Sequence, residues 1–297
     1  MATGRTYRYR VVDVFTERAL EGNALAVFGD ASGLDEATMQ RIARELNLAE
    51  TAFVLPSTRE DCTAQVRIFS PSKEMLFAGH PTIGTGYVLL DEGLIPSGAN
   101  TFLLEEKIGP VSVRVEAGLR PMLWLSTPLV QVGRCYDPSL CATVLGLGAR
   151  DLLDISPQWL SAGNPTVFVA VRNKEAVDRA WMDLSGMRRL RGSEQELMCT
   201  FVFTPTADGA YSRMFAPEYG ISEDPATGSS TGPLAVYMMR HGLISGTGGT
   251  RFVSEQGVKM GRRSLLHVYI RGTDGSEGIE VGGHTTPVVT ASLQLPT

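Results

Sequence analysis

Apolar positions along this chain switch between a period of two and a period near 3.6, and each switch marks an element. Tyr7–Phe15, rich in Val and Tyr, reads as a strand, and Leu25–Phe28 as a short second strand after the Gly22-Asn23 turn. Over Leu34–Asn47 the spacing is helical: Met39, Ile42, Ala43 and Leu46 share one stripe, while Arg41, Arg44 and Glu45 fall off it. Thr51–Leu55 is a strand stopped by Pro56, which puts Glu50 at a helix-to-strand junction. If that strand starts one residue early, Glu50 shares a face with Ala52 and Val54. Gln65–Phe69 is a further strand. Thr82–Leu90 carries no charge, so a helix there is buried on all sides. Phe102–Leu104, Val111–Val115 and Met122–Ser126 follow as strands.

The pattern then starts again. Thr166–Val171, a helical Lys174–Trp181, Cys199–Thr204, Tyr211–Phe215, the apolar Pro233–Met239 and strands from Leu265 and Gly278 repeat the type. Gly246-Thr-Gly-Gly249 reads as a surface turn, and Pro287–Leu295 as a closing strand that belongs to either half. Local spelling repeats as well. Arg67-Ile-Phe-Ser-Pro71 matches Arg213-Met-Phe-Ala-Pro217, and His80-Pro-Thr-Ile-Gly84 matches Asp224-Pro-Ala-Thr-Gly228. Gly93-Leu-Ile95 returns as Gly242-Leu-Ile244, and Gly22-Asn23 as Gly163-Asn164. With 297 residues the chain suits two domains of about 130–150 residues. The expected division is 1–127 and 128–297, with the last ~10 residues returning to the first domain if the closing strand does so. Short strands around one buried helix, twice over, make an α+β architecture.

Composition removes several functions. A net charge of −5 with no Lys/Arg-rich run argues against a nucleic-acid partner. No apolar run reaches membrane-spanning length and the first residues lack a signal core, so the expectation is a cytoplasmic protein off the membrane. The four cysteines, Cys62, Cys135, Cys141 and Cys199, are scattered without metal spacing and read as reduced thiols.

Three polar residues stand out. His80 and Asp224 occupy matching places in the two repeated strings, each before glycines, hydroxyls and an apolar run. Backbone N–H groups at such helix entries bind anions, because they are unsatisfied and sit at the positive end of the helix dipole. Glu50 lies among Leu48, Ala49, Ala52 and Phe53, and a carboxylate beside apolar surface is suited to moving a proton near neutral pH. Each has a plainer reading: Asp-Pro is common turn chemistry, and a lone His or Glu is most often structural or solvated. Gly228-Ser-Ser-Thr-Gly232 also spells G-x-S-x-G, making Ser230 a candidate serine-hydrolase nucleophile, although a turn rather than a strand leads into it. Nucleotide-binding glycine motifs are missing.

Taken together, Gly22-Asn23-Ala24, Asn47-Leu-Ala-Glu-Thr51, Gly79-His-Pro-Thr82 and Glu223-Asp-Pro-Ala-Thr-Gly-Ser229 resemble the PhzF-like family of phenazine-biosynthesis isomerases, in the family's order and over nearly the whole chain. The resemblance implies a diaminopimelate-epimerase-like fold. That fold has two pseudo-symmetric domains, each an antiparallel or mixed β-barrel around a central helix, with the active site in the cleft between them. It implies isomerisation by proton transfer without a cofactor, and often a homodimer; no residue spacing in the chain suggests a metal. Glu50 is then the general acid/base and His80 and Asp224 are its polar partners, while Gly79, Gly228 and Ser229 bind a substrate carboxylate. Neither loop carries the cysteine that two-base racemases of this fold use. The expected substrate is a small, cyclic, unsaturated carboxylate, and the alternative is a non-catalytic carboxylate-binding protein on the same scaffold.

Overall fold

A computed structural model describes residues 4–245, 248–271 and 278–295. Gly246 and Thr247 of the glycine-rich turn lie outside the described residues. The chain divides into two compact units, one holding the residues up to Leu125 together with those from Gly282 onward, the other Ser126–Val281.

The chain opens with β1 (Arg5–Val14), β2 (Asn23–Phe28), α1 (Glu36–Leu46), β3 (Glu50–Leu55), β4 (Ala64–Phe69) and β5 (Glu74–Met75). Next come α2 (Gly79–Asp91), β6 (Thr101–Glu106), β7 (Gly109–Glu116) and β8 (Met122–Ser126). The following stretch runs through β9 (Gln131–Cys135), α3 (Pro138–Val144), β10 (Gln158–Ser161), β11 (Thr166–Ala170), α4 (Lys174–Arg179), α5 (Leu184–Arg191) and β12 (Cys199–Thr206). Then follow β13 (Gly209–Ala216), β14 (Ile221–Asp224), α6 (Gly228–Arg240), β15 (Arg251–Gln256), β16 (Ser264–Ile270), β17 (Ile279–Gly283) and β18 (Thr285–Leu295). Among the described residues, these elements form a mixed α/β fold with parallel and antiparallel strand pairs. No helix among them is long and apolar enough to cross a membrane.

In the first unit, α1 forms where the stripe of Met39, Ile42 and Ala43 buries itself. The Asp35 carboxylate accepts the Thr38 N–H at 2.8 Å and starts the helix. Asn47, in the left-handed conformation at φ 50°, ends it. The buried stripe packs with Phe28, Phe53 and Phe69, whose rings stack or meet edge-on at 5.0 and 5.6 Å. Strand β2 runs parallel to β3, β3 antiparallel to β4, and β4 antiparallel to β5. Strand β4 also lies parallel to β6, which pairs with β7 and through it with β8. The closing strand β18 pairs along β1 from Arg5–Leu295 to Val14–Thr285.

Helix α2 is enclosed by this unit and packs on β1, β2, β3, β7 and β18. Its glycines are what let strands come so close. A Cβ on Gly84 would stand 2.6 Å from Leu25 and 2.8 Å from Val14, and one on Gly86 would stand 2.8 Å from Leu123.

The second unit repeats the pairing scheme. Strand β10 is antiparallel to β11, β11 parallel to β12, β12 antiparallel to β13, and β13 antiparallel to β14. Strand β13 runs parallel to β15, which pairs with β16. An Arg–Glu ion pair recurs at the same step: Arg67 with Glu74 at 2.7 Å, and Arg213 with Glu223 at 2.7 Å. One helix in the first unit becomes two here, α4 and α5, which bury Ala176, Val177, Met187 and Leu190 against Val167, Val169 and Val202. Helix α6 takes the place of α2, with Leu234, Tyr237 and Met238 among Phe168, Phe201 and Phe203.

Candidate active site

Glu50 is the first residue of β3, with Leu25 of β2 as its register partner. The strand therefore starts at the early position, and the left-handed Asn47 turns the chain out of α1 just before it. His80 is the second residue of α2, in the first turn, where backbone N–H groups have no partner within the helix. The two side chains meet: His80 Nε2 lies 3.2 Å from Glu50 Oε2, with 8% and 13% of the side chains exposed. The approach is off the line of a full hydrogen bond. Catalytic contacts commonly align only once a substrate is bound. Burial pushes the His80 imidazole down to about 3, so the ring is neutral at pH 7. Its other nitrogen, Nδ1, faces the Asn23 side-chain amide nitrogen at 3.4 Å.

Two residues after His80, Thr82 meets a carboxyl that belongs to no motif, that of Glu106. Thr82 Oγ1 lies 2.8 Å from the Ala78 carbonyl and 2.6 Å from Glu106 Oε1. One hydroxyl hydrogen cannot serve both acceptors, so a protonated Glu106 donating to Thr82 satisfies the arrangement. Burial favours the same form, pushing the Glu106 carboxyl up to about 8. The sequence signal was available: Phe102, Leu104 and Glu106 alternate on the buried face of β6.

In the second unit, Asp224 ends β14 and Gly228 and Ser229 open α6. Thr227 Oγ1 donates to Asp224 Oδ2 at 2.5 Å, while Gln256 Nε2 donates to the Asp224 carbonyl at 2.7 Å and to Thr227 Oγ1 at 3.0 Å. Gln256 is the last residue of β15, as Glu106 is of β6, and the two strands alternate in burial identically. The Asn164 amide nitrogen reaches Ser229 Oγ at 3.4 Å.

The helices correct the match of His80 with Asp224. Setting α2 on α6 from their first residues aligns Gly79 with Gly228, His80 with Ser229 and Thr82 with Thr231, and carries Gly93-Leu94-Ile95 onto Gly242-Leu243-Ile244. Thr82 and Thr231 then make the same bond, each donating to the carbonyl four residues earlier. Asp224 corresponds instead to Met75, the end of β5. The spelled match misled because Pro81 lies within the first turn of α2 whereas Pro225 lies before α6, and proline suits both places.

Ser230 does not have the strand-to-helix setting of a G-x-S-x-G nucleophile elbow. It is fully buried inside α6, with its hydroxyl 2.9 Å from Thr166 Oγ1, and β14 ends in a turn before it.

Residues 12–291 match the family model described as phenazine biosynthesis-like protein, PhzC-PhzF. The chain is 36% identical to an uncharacterized isomerase of Mesorhizobium japonicum, over 97% of this chain and 99% of that protein. It is 33% identical to the trans-2,3-dihydro-3-hydroxyanthranilate isomerase of Pseudomonas chlororaphis, over 94% of this chain and 96% of that one. A solved PhzF-family phenazine biosynthesis protein of Bacillus anthracis matches with a TM-score of 0.88 at 26% identity, covering 98% of this chain and 100% of that one. The chain, with its Glu50–His80 pair carried at the motifs that drew the resemblance, belongs to the phenazine biosynthesis-like PhzC-PhzF family and is an isomerase.

Proposed function

We propose that this isomerase shifts a proton between carbons of a small, cyclic, unsaturated carboxylate, without a cofactor, using Glu50 as general acid/base. The observation that carries the reading is the contact between Glu50 and a buried, neutral His80. The Glu50 carboxylate takes a proton from a C–H bond acidified by the adjoining unsaturation. The C–H electron pair moves into the conjugated system, and the proton returns at another carbon, so the double bonds are rearranged and nothing is oxidised or reduced. His80 adjoins Glu50 at Oε2 and helps to orient the carboxylate. Oriented groups held near contact lower such a barrier by several kcal/mol.

The relatives support the substrate class. The name trans-2,3-dihydro-3-hydroxyanthranilate isomerase describes action on a cyclic unsaturated carboxylate, which makes that compound the first to try here. Asp224 enters the proposal as a polar group orienting substrate or relaying protons, and Gly79, Gly228 and Ser229 as carboxylate-binding groups, all by the motifs they sit in. First-turn N–H groups of α2 and α6 support the anion-binding part. We propose further that each unit is a strand barrel around its buried helix and that the protein is a cytoplasmic homodimer.

The test is turnover of dihydro-hydroxyanthranilate and related cyclic carboxylates by the wild type and by Glu50→Gln, with affinity measured beside it. The expected result is a loss of about a hundredfold to ten-thousandfold in turnover with binding kept. Equal turnover by both proteins overturns the assignment of Glu50. Binding without turnover in either favours a carboxylate-binding protein.

A further inference from the structure

The two units place an asparagine in the same relation to the same position of the buried helix. Asn23 opens β2, two residues before Leu25, which is in register with Glu50. Asn164 stands two residues before Thr166, which is in register with Cys199. Cys199 is therefore the counterpart of Glu50, as Ser229 is of His80. Each asparagine aims its amide nitrogen at the second residue of its helix: Asn23 Nδ2 to His80 Nδ1 at 3.4 Å, Asn164 Nδ2 to Ser229 Oγ at 3.4 Å. In the second unit the amide's orientation is fixed from the other side, because the Cys199 thiol donates to Asn164 Oδ1 at 3.5 Å. Burial holds that thiol protonated, so it serves as a donor, and the oxygen of Asn164 must be the atom facing it.

We propose that Asn23 is the positioning residue that selects the ring tautomer of His80. An amide nitrogen has hydrogens and no lone pair to offer, so the ring nitrogen it faces must be the unprotonated one. With Nδ1 occupied as acceptor, the single proton of the neutral ring sits on Nε2, the nitrogen 3.2 Å from Glu50 Oε2. The other tautomer would turn a lone pair toward the carboxylate and leave two like charge densities facing each other inside a buried site. Asn23 is itself 2% exposed, so water does not replace its amide. Asn164 performs the matching task in its own unit: donation into Ser229 Oγ leaves that hydroxyl's hydrogen free to be given to an anion. The contribution of Asn23 to catalysis rests on the Glu50–His80 reading above, whereas the tautomer itself is a property of the resting protein.

The experiment is two-bond proton–nitrogen correlation NMR on protein carrying nitrogen-15 histidine, near neutral pH and without ligand, with His80 assigned by loss of its signals in His80→Asn. The expected wild-type spectrum has a protonated Nε2 and an unprotonated Nδ1. In Asn23→Asp, nearly the same shape but able only to accept, Nδ1 should acquire a proton and its resonance move to the protonated range. In Asn23→Leu, the preference for one tautomer should be lost. A wild-type ring protonated at Nδ1, alone or together with Nε2, overturns the proposal whatever the variants do. An Nε2–H ring in a protein that exchanges no carbon-bound proton of any ligand would uphold the tautomer and sink the catalytic reading, so the two failures are separable.

Discussion

Replacing Glu106 by glutamine should stabilise this protein at neutral pH, and the size of the gain follows from where the carboxyl lies. Glu106 shares the inward face of β6 with Phe102 and Leu104, is 4% exposed, and meets Thr82 at 2.6 Å. Burial raises its pKa from an ordinary 4.5 to about 8. Between those values the folded protein keeps the proton while the unfolded chain gives it up. The stability that the protonated form provides is complete below pH 4.5, falls as pH rises, and stops falling above pH 8. Each pH unit in that window costs ~1.4 kcal/mol. A glutamine is neutral throughout and can donate its amide hydrogen to the Thr82 hydroxyl. The variant should therefore match the wild type near pH 4.5 and exceed it by roughly 3 kcal/mol at pH 7. Urea unfolding of both proteins at several pH values reads this difference directly, since other titrating groups cancel. Stability curves that run parallel from pH 5 to pH 8 would refute the reasoning, because they would mean that Glu106 ionises alike in the folded and unfolded chains.

Other perturbations have equally definite outcomes. Gly84→Ala should lose about 1–3 kcal/mol of stability, because the added Cβ meets Leu25 and Val14 inside 3 Å; an unchanged unfolding midpoint would show that the helix can move away. Gln256→Leu removes both donations that hold the Asp224 carbonyl and the Thr227 hydroxyl. It should cost about 1–3 kcal/mol in urea unfolding and weaken carboxylate binding measured by calorimetry. With the His80 ring already neutral down to about pH 3, a pH–rate profile should show no limb near 6.5 from this residue. A limb there that disappears in His80→Asn would contradict that.

Much of the fold could be read from residue spacing. Helix α1 was legible because three large apolar residues and their charged neighbours separate cleanly at a 3.6 period, and α2 because nine residues pass without a charge. Helices α3 and α5 were missed. They are short, and the run Arg188-Arg189-Leu190-Arg191 hides the single stripe of Met187 and Leu190 that α5 buries. The closing strand could not be assigned to a half, since pairing with β1 is a long-range choice that local pattern does not encode. Glu50 and His80 stood out through their motifs, and their mutual contact needed the fold. Glu106 and Gln256 had only alternation to mark them, which is visible once the strand's inward face is known. The register between the halves failed at His80 and Asp224 because proline and glycine fit both a turn and a helix's first residues. The bonds of Thr82 and Thr231 reset it.

The central claim, that Glu50 moves a carbon-bound proton, is tested most directly by solvent exchange. A panel of small cyclic unsaturated carboxylates, dihydro-hydroxyanthranilate included, is incubated in deuterium oxide with wild type and with Glu50→Gln, and proton NMR follows each carbon position. Deuterium should enter at least one compound with the wild type, and none should enter with Glu50→Gln although the compound still binds. Deuterium entering at the same rate with both proteins would contradict the claim.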